Sequence, residues 1–171
     1  MATNSFCTSN HILVGLGGTG GKILKAFKMR MFEEFPTQEE RSKQPVALLY
    51  VDSTDEMMSK DGRARADFRV MGQDASFTNN EFLNIKAVDV EHILDHIDHY
   101  PSVKGIVENV GAVKSAIGSL GQAAGQKRRA GRLLFAAKAV GYVNSLRDAY
   151  SRCINVSGDS SETTIHIFAG L

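Results

Sequence analysis

Residues 11–16, HILVGL, form a short apolar run consistent with a buried strand, and it breaks at once into the glycine-rich stretch GGTGG. From Lys22 to Phe35, apolar side chains recur at Ile23, Leu24, Phe27, Met31 and Phe35. These are helical spacings, predicting one buried face and a lysine-rich outer face, with Pro36 marking the end. The polar stretch TQEERSKQP, 37–45, predicts a loop. VALLYV, 46–51, is continuously apolar, as expected of a parallel strand covered on both faces. Asp52-Ser53-Thr54-Asp55 then has the polar chemistry of a helix cap.

Further along, ADFRVMG, 66–72, alternates well enough to predict a third strand. Residues 79–114 read as helical, most clearly in VDVEHILDHIDHY, with Pro101 as an interruption. A second glycine-spaced stretch, GSLGQAAGQ at 118–126, leads into a helix predicted from Lys127 to about Tyr150. Leu133, Leu134, Ala137, Val140 and Leu146 lie on or near its buried face. INVSGDSSE predicts a loop, and TTIHIFAGL, 163–171, a fourth strand. Alternating strands and helices predict an α/β fold, a Rossmann-like three-layer domain with a mostly parallel sheet. Ligands of such sheets bind at the carboxyl ends of the strands, an edge both glycine-rich turns can reach.

Composition adds bounds. With 171 residues and 43% hydrophobic content, the chain is about one domain long and able to build a core. The net charge of +1 selects no partner class, and no nucleic-acid partner is evident. Charge is uneven, however: Lys104 to Arg152 holds nine Lys or Arg and two acids, Glu108 and Asp148. That segment either faces an anion or is a solvated surface. Cys7 and Cys153 lack a CxxC spacing and fit free thiols in a reducing compartment. The N-terminus has no signal-peptide pattern, and no apolar run is long enough to span a membrane, so a cytoplasmic location is expected.

Gly15-Leu16-Gly17-Gly18-Thr19-Gly20 matches GxGxxG between a predicted strand and a predicted helix. Glycine serves that position because the turn needs positive φ and because a missing Cβ lets backbone N–H groups approach a phosphate. The helix N-terminus then stabilises the negative charge, and Thr19 can add a hydroxyl donor. The loop is not a Walker A motif, because Leu16 and Ile23 stand where that motif needs Gly and Ser or Thr. A dinucleotide-binding enzyme would use an acid at the end of strand two, which Asp52 could supply. The stretch from Gly20 to Asp52 is longer than the roughly 20-residue spacing of that fingerprint.

HILVGLGGTGGKIL, LLYVDSTDEMM, GSLGQAAGQKRRAGRLLFAAKA and IHIFAGL occur in that order. Together they resemble the tubulin and FtsZ superfamily, most closely its divergent bacterial tubulin-like members. The resemblance implies three nucleotide loops. Gly17, Gly18, Thr19, Gly20 and Gly21 match the first, which contacts phosphates; Asp52, Thr54 and Asp55 resemble the second. Gly121, Gly125, Gly131 and Arg132 resemble the third, near the terminal phosphate, with one extra residue before the Gly-Arg pair.

The chain departs from the pattern in two places. About 45 residues, roughly 73–117, form a predicted helical insertion. The family's GGGTGTG-type loop would follow the fourth strand, where this chain reads Ala169-Gly170-Leu171. The resemblance therefore covers the front part of a family domain, without the later base-reading helix or the acidic loop that activates water across a subunit contact. It implies binding of GTP or GDP, with Mg2+ left open, and self-association or polymerisation. It assigns no catalytic residue here, and leaves open whether this chain acts as a GTPase. An unfinished sheet edge would itself favour self-association. Two other readings stand beside it: a Rossmann enzyme using NAD(P) or an adenylate, and a scaffold that binds no nucleotide.

Other signals carry less. His92, His96 and His99 share one side of a helix, but residues 92–96 read HILDH rather than HExxH, and no metal site is expected. Lys127-Arg128-Arg129 with Arg132 puts positive charge at a helix start, where the dipole disfavours it, consistent with a nearby anion or a solvated cluster. His11 and His166 read as isolated strand residues.

Overall fold

A computed structural model describes residues 9–58, 68–86, 90–117, 128–158 and 162–170, with the side chains of 115–117 and 128–130 excepted. Strand β1 (Asn10–Leu16) runs directly into helix α1 (Gly17–Glu34). A short helix α2 (Gln38–Ser42) precedes strand β2 (Val46–Asp52). A two-stranded hairpin follows, β3 (Arg69–Val70) and β4 (Gln73–Asp74), and then strand β5 (Phe82–Asn84). Helices α3 (Val90–Asp95), α4 (Pro101–Lys104), α5 (Val110–Ile117), α6 (Arg128–Ala137) and α7 (Ala139–Ser157) lead to strand β6 (Thr163–Ala169).

The main sheet has the order β5-β2-β1-β6, and every pair in it is parallel. The continuous apolar runs of β1 and β2 split between two cores, because successive strand residues face opposite sides. Ile12, Val14, Ala47, Leu49 and Val51 join Leu133, Leu134, Ala149 and Cys153 on the α6–α7 side. Leu13, Leu48 and Tyr50 join Leu24, Phe68 and Phe77 on the α1 side. The protein is thus a three-layer α/β domain of Rossmann-like type.

Several elements differ from the sequence expectation. Helix α1 starts at Gly17 rather than Lys22, because one positive-φ residue, Gly17 at +66°, turns the chain and the next glycines are already helical. Its outer face is not uniformly lysine. Lys28 is buried, donating to the Ser76 carbonyl at 2.7 Å and pairing with Glu81 at 2.6 Å, while Lys25 sits 4.4 Å from the centre of the Phe68 ring. The expected 37–45 loop contains α2, started by a capping box in which Thr37 and Glu40 satisfy each other's backbone donors.

The largest correction concerns the third strand. The described part of that stretch, 68–72, supplies only β3, which turns back at Met71 (φ 50°) and Gly72 (φ 79°) and pairs antiparallel with β4, off the main sheet. Two consecutive positive-φ residues make the mirror-image turn that suits a tight hairpin. The main sheet instead takes Phe82–Asn84, inside the 79–114 stretch expected to be helical. Asn79–Glu81 make only a single 3-10 turn, and α-helix begins at Val90 among the described residues there. Pro101 opens α4 at its first turn, where its missing N–H costs nothing.

The single helix expected over 127–150 is two helices meeting at Lys138, and the second runs on to Ser157 through part of the expected loop. Gly158 in the left-handed region ends it, its N–H bonded to the Ile154 carbonyl at 2.7 Å. Val140 is exposed, not buried. His11 and His166 are not isolated: Nδ1 of one lies 3.0 Å from Nε2 of the other across the β1–β6 pair.

Candidate functional site

In a parallel sheet the ligand-binding edge lies at the carboxyl ends of the strands, at the point where the chain's winding reverses. Here β1 is flanked by β2 on one side and β6 on the other, so that point lies between Leu16 and Ala169. The glycine turn occupies it.

Those glycines divide by what surrounds them. Among the described residues, a Cβ added at Gly17 or Gly18 would meet nothing within 4 Å. One added at Gly20 would stand 2.5 Å from the Phe168 carbonyl oxygen and 2.7 Å from the Gly15 backbone. At Gly21 it would stand 2.6 Å from the Tyr50 ring and 2.9 Å from Met57 Sδ. Gly20 and Gly21 therefore let α1 lie against the strands, while Gly17 and Gly18 leave open the space in front of the helix. Leu16 caps α1 with no side-chain hydrogen bond, and the first turn holds no acid. Among the described residues, no side-chain cap bonds the leading N–H groups of this 18-residue helix. Thr19 stands beside the end of β6, with its Oγ1 2.7 Å from where a Cβ on Gly170 would be.

The second wall comes from β2. Asp52 ends the strand, and its carboxylate is committed to its own chain. Oδ2 accepts from the Tyr50 hydroxyl at 2.5 Å, and Oδ1 accepts from the N–H groups of Ser53 at 2.6 Å and Thr54 at 3.3 Å. The backbone carbonyl of Asp52 accepts from Ile85 N–H at 2.8 Å. Asp52 thus pins the start of the loop that carries Thr54 and the exposed Asp55. Burial pushes the Tyr50 phenol above its ordinary range, reinforced by the hydrogen bond and charge of Asp52 and the charge of Glu56. The phenol therefore stays protonated and remains a donor.

The structure brings the first two predicted loops together through Gly21, Tyr50 and Met57. Gly121 and Gly125 lie outside the described residues, as do Lys127 and the side chains of Arg128 and Arg129. Gly131 and Arg132 lie within α6 rather than in a loop, with Arg132 exposed, and α6 packs on α4 and α7. Part of the basic segment is neutralised locally: Lys104 pairs with Asp98 at 2.6 Å and Lys114 pairs with Asp95. Both carboxyls are held below the usual range by hydrogen bonds from those lysines.

The rings of His92 and His96 lie tilted against each other near the end of α3, with centres 4.3 Å apart. Among the described residues no group of three or more His, Cys, Asp or Glu could hold a metal ion. Cys153 is a free, buried thiol whose pKa is raised by burial, so it is poorly reactive. A polar cleft of about 370 Å³ lies between Asn79, Asn80 and Phe82 on one side and Asp148 and Arg152 of α7 on the other. It shares no residue with the glycine turn. No helix among the described residues is long and apolar enough to cross a membrane.

Sequence reading missed Tyr50 because it sits inside a continuous apolar run, where it counts as core. Its one visible signal is the spacing to Asp52: two residues apart on a strand, the pair shares a face. A family model described as tubulin like matches residues 12–171. No curated protein and no solved structure matches the chain.

Proposed function

This chain belongs to the tubulin-like family, and from that premise we propose that it binds a guanine nucleotide and assembles or switches in response to it. The observation that carries this reading is the α1 N-terminus: an uncapped 18-residue helix behind Gly17 and Gly18, whose front is open, at the sheet's reversal point. Backbone N–H groups and the helix dipole there suit phosphate. Gly17, Gly18 and Thr19 contact the phosphates, while Gly20 and Gly21 seat the helix. Thr54 and Asp55 form the adjoining wall, and would face a Mg2+ ion carried in with the phosphates. Gly121, Gly125, Gly131 and Arg132 serve the terminal phosphate. Guanine rather than adenine rests on the family, and a cytoplasmic location rests on the spacing of Cys7 and Cys153, which fits free thiols in a reducing compartment. No hydrolytic group is assigned within these residues.

The commitment of Asp52 to Tyr50, Ser53 and Thr54 speaks against the dinucleotide-enzyme alternative, which needs that carboxylate for a ribose hydroxyl. Self-association is supported by β6, the outer strand of the sheet, whose Ile165 and Ile167 are 46% and 61% exposed.

The test is thermal unfolding with GTP, GDP, ATP and NAD, each with magnesium. A ligand at 100 times its Kd adds about 2.7 kcal/mol, a readable shift in midpoint. A guanine-selective shift is expected, with sedimentation velocity showing a nucleotide-dependent change in association state. A shift confined to ATP or NAD would sink the reading.

A further inference from the structure

Tyr50 touches both walls of the glycine-turn site. Its ring is 1% exposed and lies between Gly21 of α1 and the rings of Phe77 and Phe82, whose centres are 5.4 and 5.3 Å away. Its hydroxyl reaches past the end of the apolar core to one oxygen of Asp52, whose other oxygen holds the N–H groups of Ser53 and Thr54. A phenylalanine would fill the same core space equally well. What the hydroxyl adds is a charge-assisted bond that fixes the carboxylate and, through it, the first turn of the Ser53–Asp55 loop.

We infer that Tyr50 is a positioning residue for the nucleotide: it latches Asp52 so that Asp52 shapes the loop instead of touching the ligand, and it registers that loop against α1 through Gly21. The inference rests on the nucleotide reading above. A side chain that is both the packing surface for the phosphate helix and the anchor of the facing loop sets the distance between the two walls. Oδ1 of Asp52 cannot take a ribose hydroxyl or a metal ion without releasing the Ser53 and Thr54 donors, and Oδ2 already holds the Tyr50 hydroxyl. The ligand-facing groups of this wall are then Thr54 and Asp55, whose side chains have no hydrogen-bond partner among the described residues.

Two measurements test this on the whole chain. The first is a double-mutant cycle in GDP·Mg2+ affinity with Tyr50→Phe and Asp52→Ala. Loss of the latch should weaken binding about tenfold in Tyr50→Phe, the scale of one hydrogen bond to a charged group. The same substitution should change nothing further in an Asp52→Ala background. Equal affinity of Tyr50→Phe and the wild type overturns the inference, and so does an undiminished effect of Tyr50→Phe when Asp52 is already alanine. The second is amide hydrogen exchange at Ser53 and Thr54 without nucleotide. Both should exchange faster in Tyr50→Phe while the central residues of β1 and β2 stay protected, and unchanged protection at 53 and 54 overturns the latch. A wild-type chain that binds no guanine nucleotide defeats the preceding reading, and the exchange experiment still decides the latch by itself.

Discussion

Within one five-residue stretch, Gly17 and Gly18 look onto open space while Gly20 and Gly21 are wedged against Phe168, Gly15, Tyr50 and Met57. A GxGxxG pattern read from sequence treats its glycines as equivalent phosphate contacts. The structure assigns them two kinds of work: the later pair brings the helix close to the sheet, and the earlier pair leaves room in front of its N-terminus. The difference teaches that substitution at one end of the turn should report on folding, and at the other end on ligand.

The comparison breaks most easily at Gly20. A Cβ there meets two backbone groups that no rotamer change can relieve. Gly20→Ala should cost about 3 kcal/mol or more, at or above the top of the usual overpacking range, with nucleotide present or absent. Urea unfolding followed by circular dichroism reads this, and a chain as stable as wild type would show that α1 does not sit as close as described. Gly17→Ala should come next, losing about 1–2 kcal/mol because an L-residue is forced to φ +66°. It should also bind nucleotide more weakly by isothermal titration.

Gly158 provides the control that sharpens the contrast. It has nearly the same φ, +68°, and equally open surroundings, but sits at the end of α7. Gly158→Ala should cost a similar ~1–2 kcal/mol in urea and leave nucleotide affinity unchanged. The smallest effect on the fold is expected at Gly18. There alanine should be neutral or stabilising by about 0.5 kcal/mol, by restricting the unfolded chain. Its Cβ would nevertheless stand where the phosphates are proposed to lie, so affinity should fall as stability holds or rises. Unchanged affinity in Gly18→Ala would move the ligand away from this turn.

Much of this was legible in the sequence, and the parts that were not share a cause. The apolar runs of β1 and β2 and the periodicity of α1 reflect burial on both faces or on one, a property each segment carries locally. Phe82–Asn84 is too short and too weakly patterned to stand out from its surroundings. It becomes a strand because β2 offers a free edge and because the Lys28–Glu81 pair fixes the turn just before it. ADFRVMG has a strand-like pattern, but Met71-Gly72 folds it into a hairpin that covers α1, tied down by Arg41 to Gln73 at 2.9 Å and by Gln73 to the Pro36 carbonyl at 2.8 Å.

The site shows the same division. The order of apolar run, glycine turn and amphipathic helix determined that a strand feeds a helix N-terminus, because turn chemistry and helix periodicity act over a few residues. Only the tertiary structure decided which glycines are spacers and which are open, because that depends on Phe168 and Tyr50 arriving from distant strands. Asp52 is occupied by neighbours within two residues, Tyr50, Ser53 and Thr54, and the tertiary structure adds only the packing of the Tyr50 ring against Gly21, Phe77 and Phe82 that holds its hydroxyl in place. Local sequence sets what each segment can form; the packing of segments far apart in the chain sets which of their polar groups remain for a ligand.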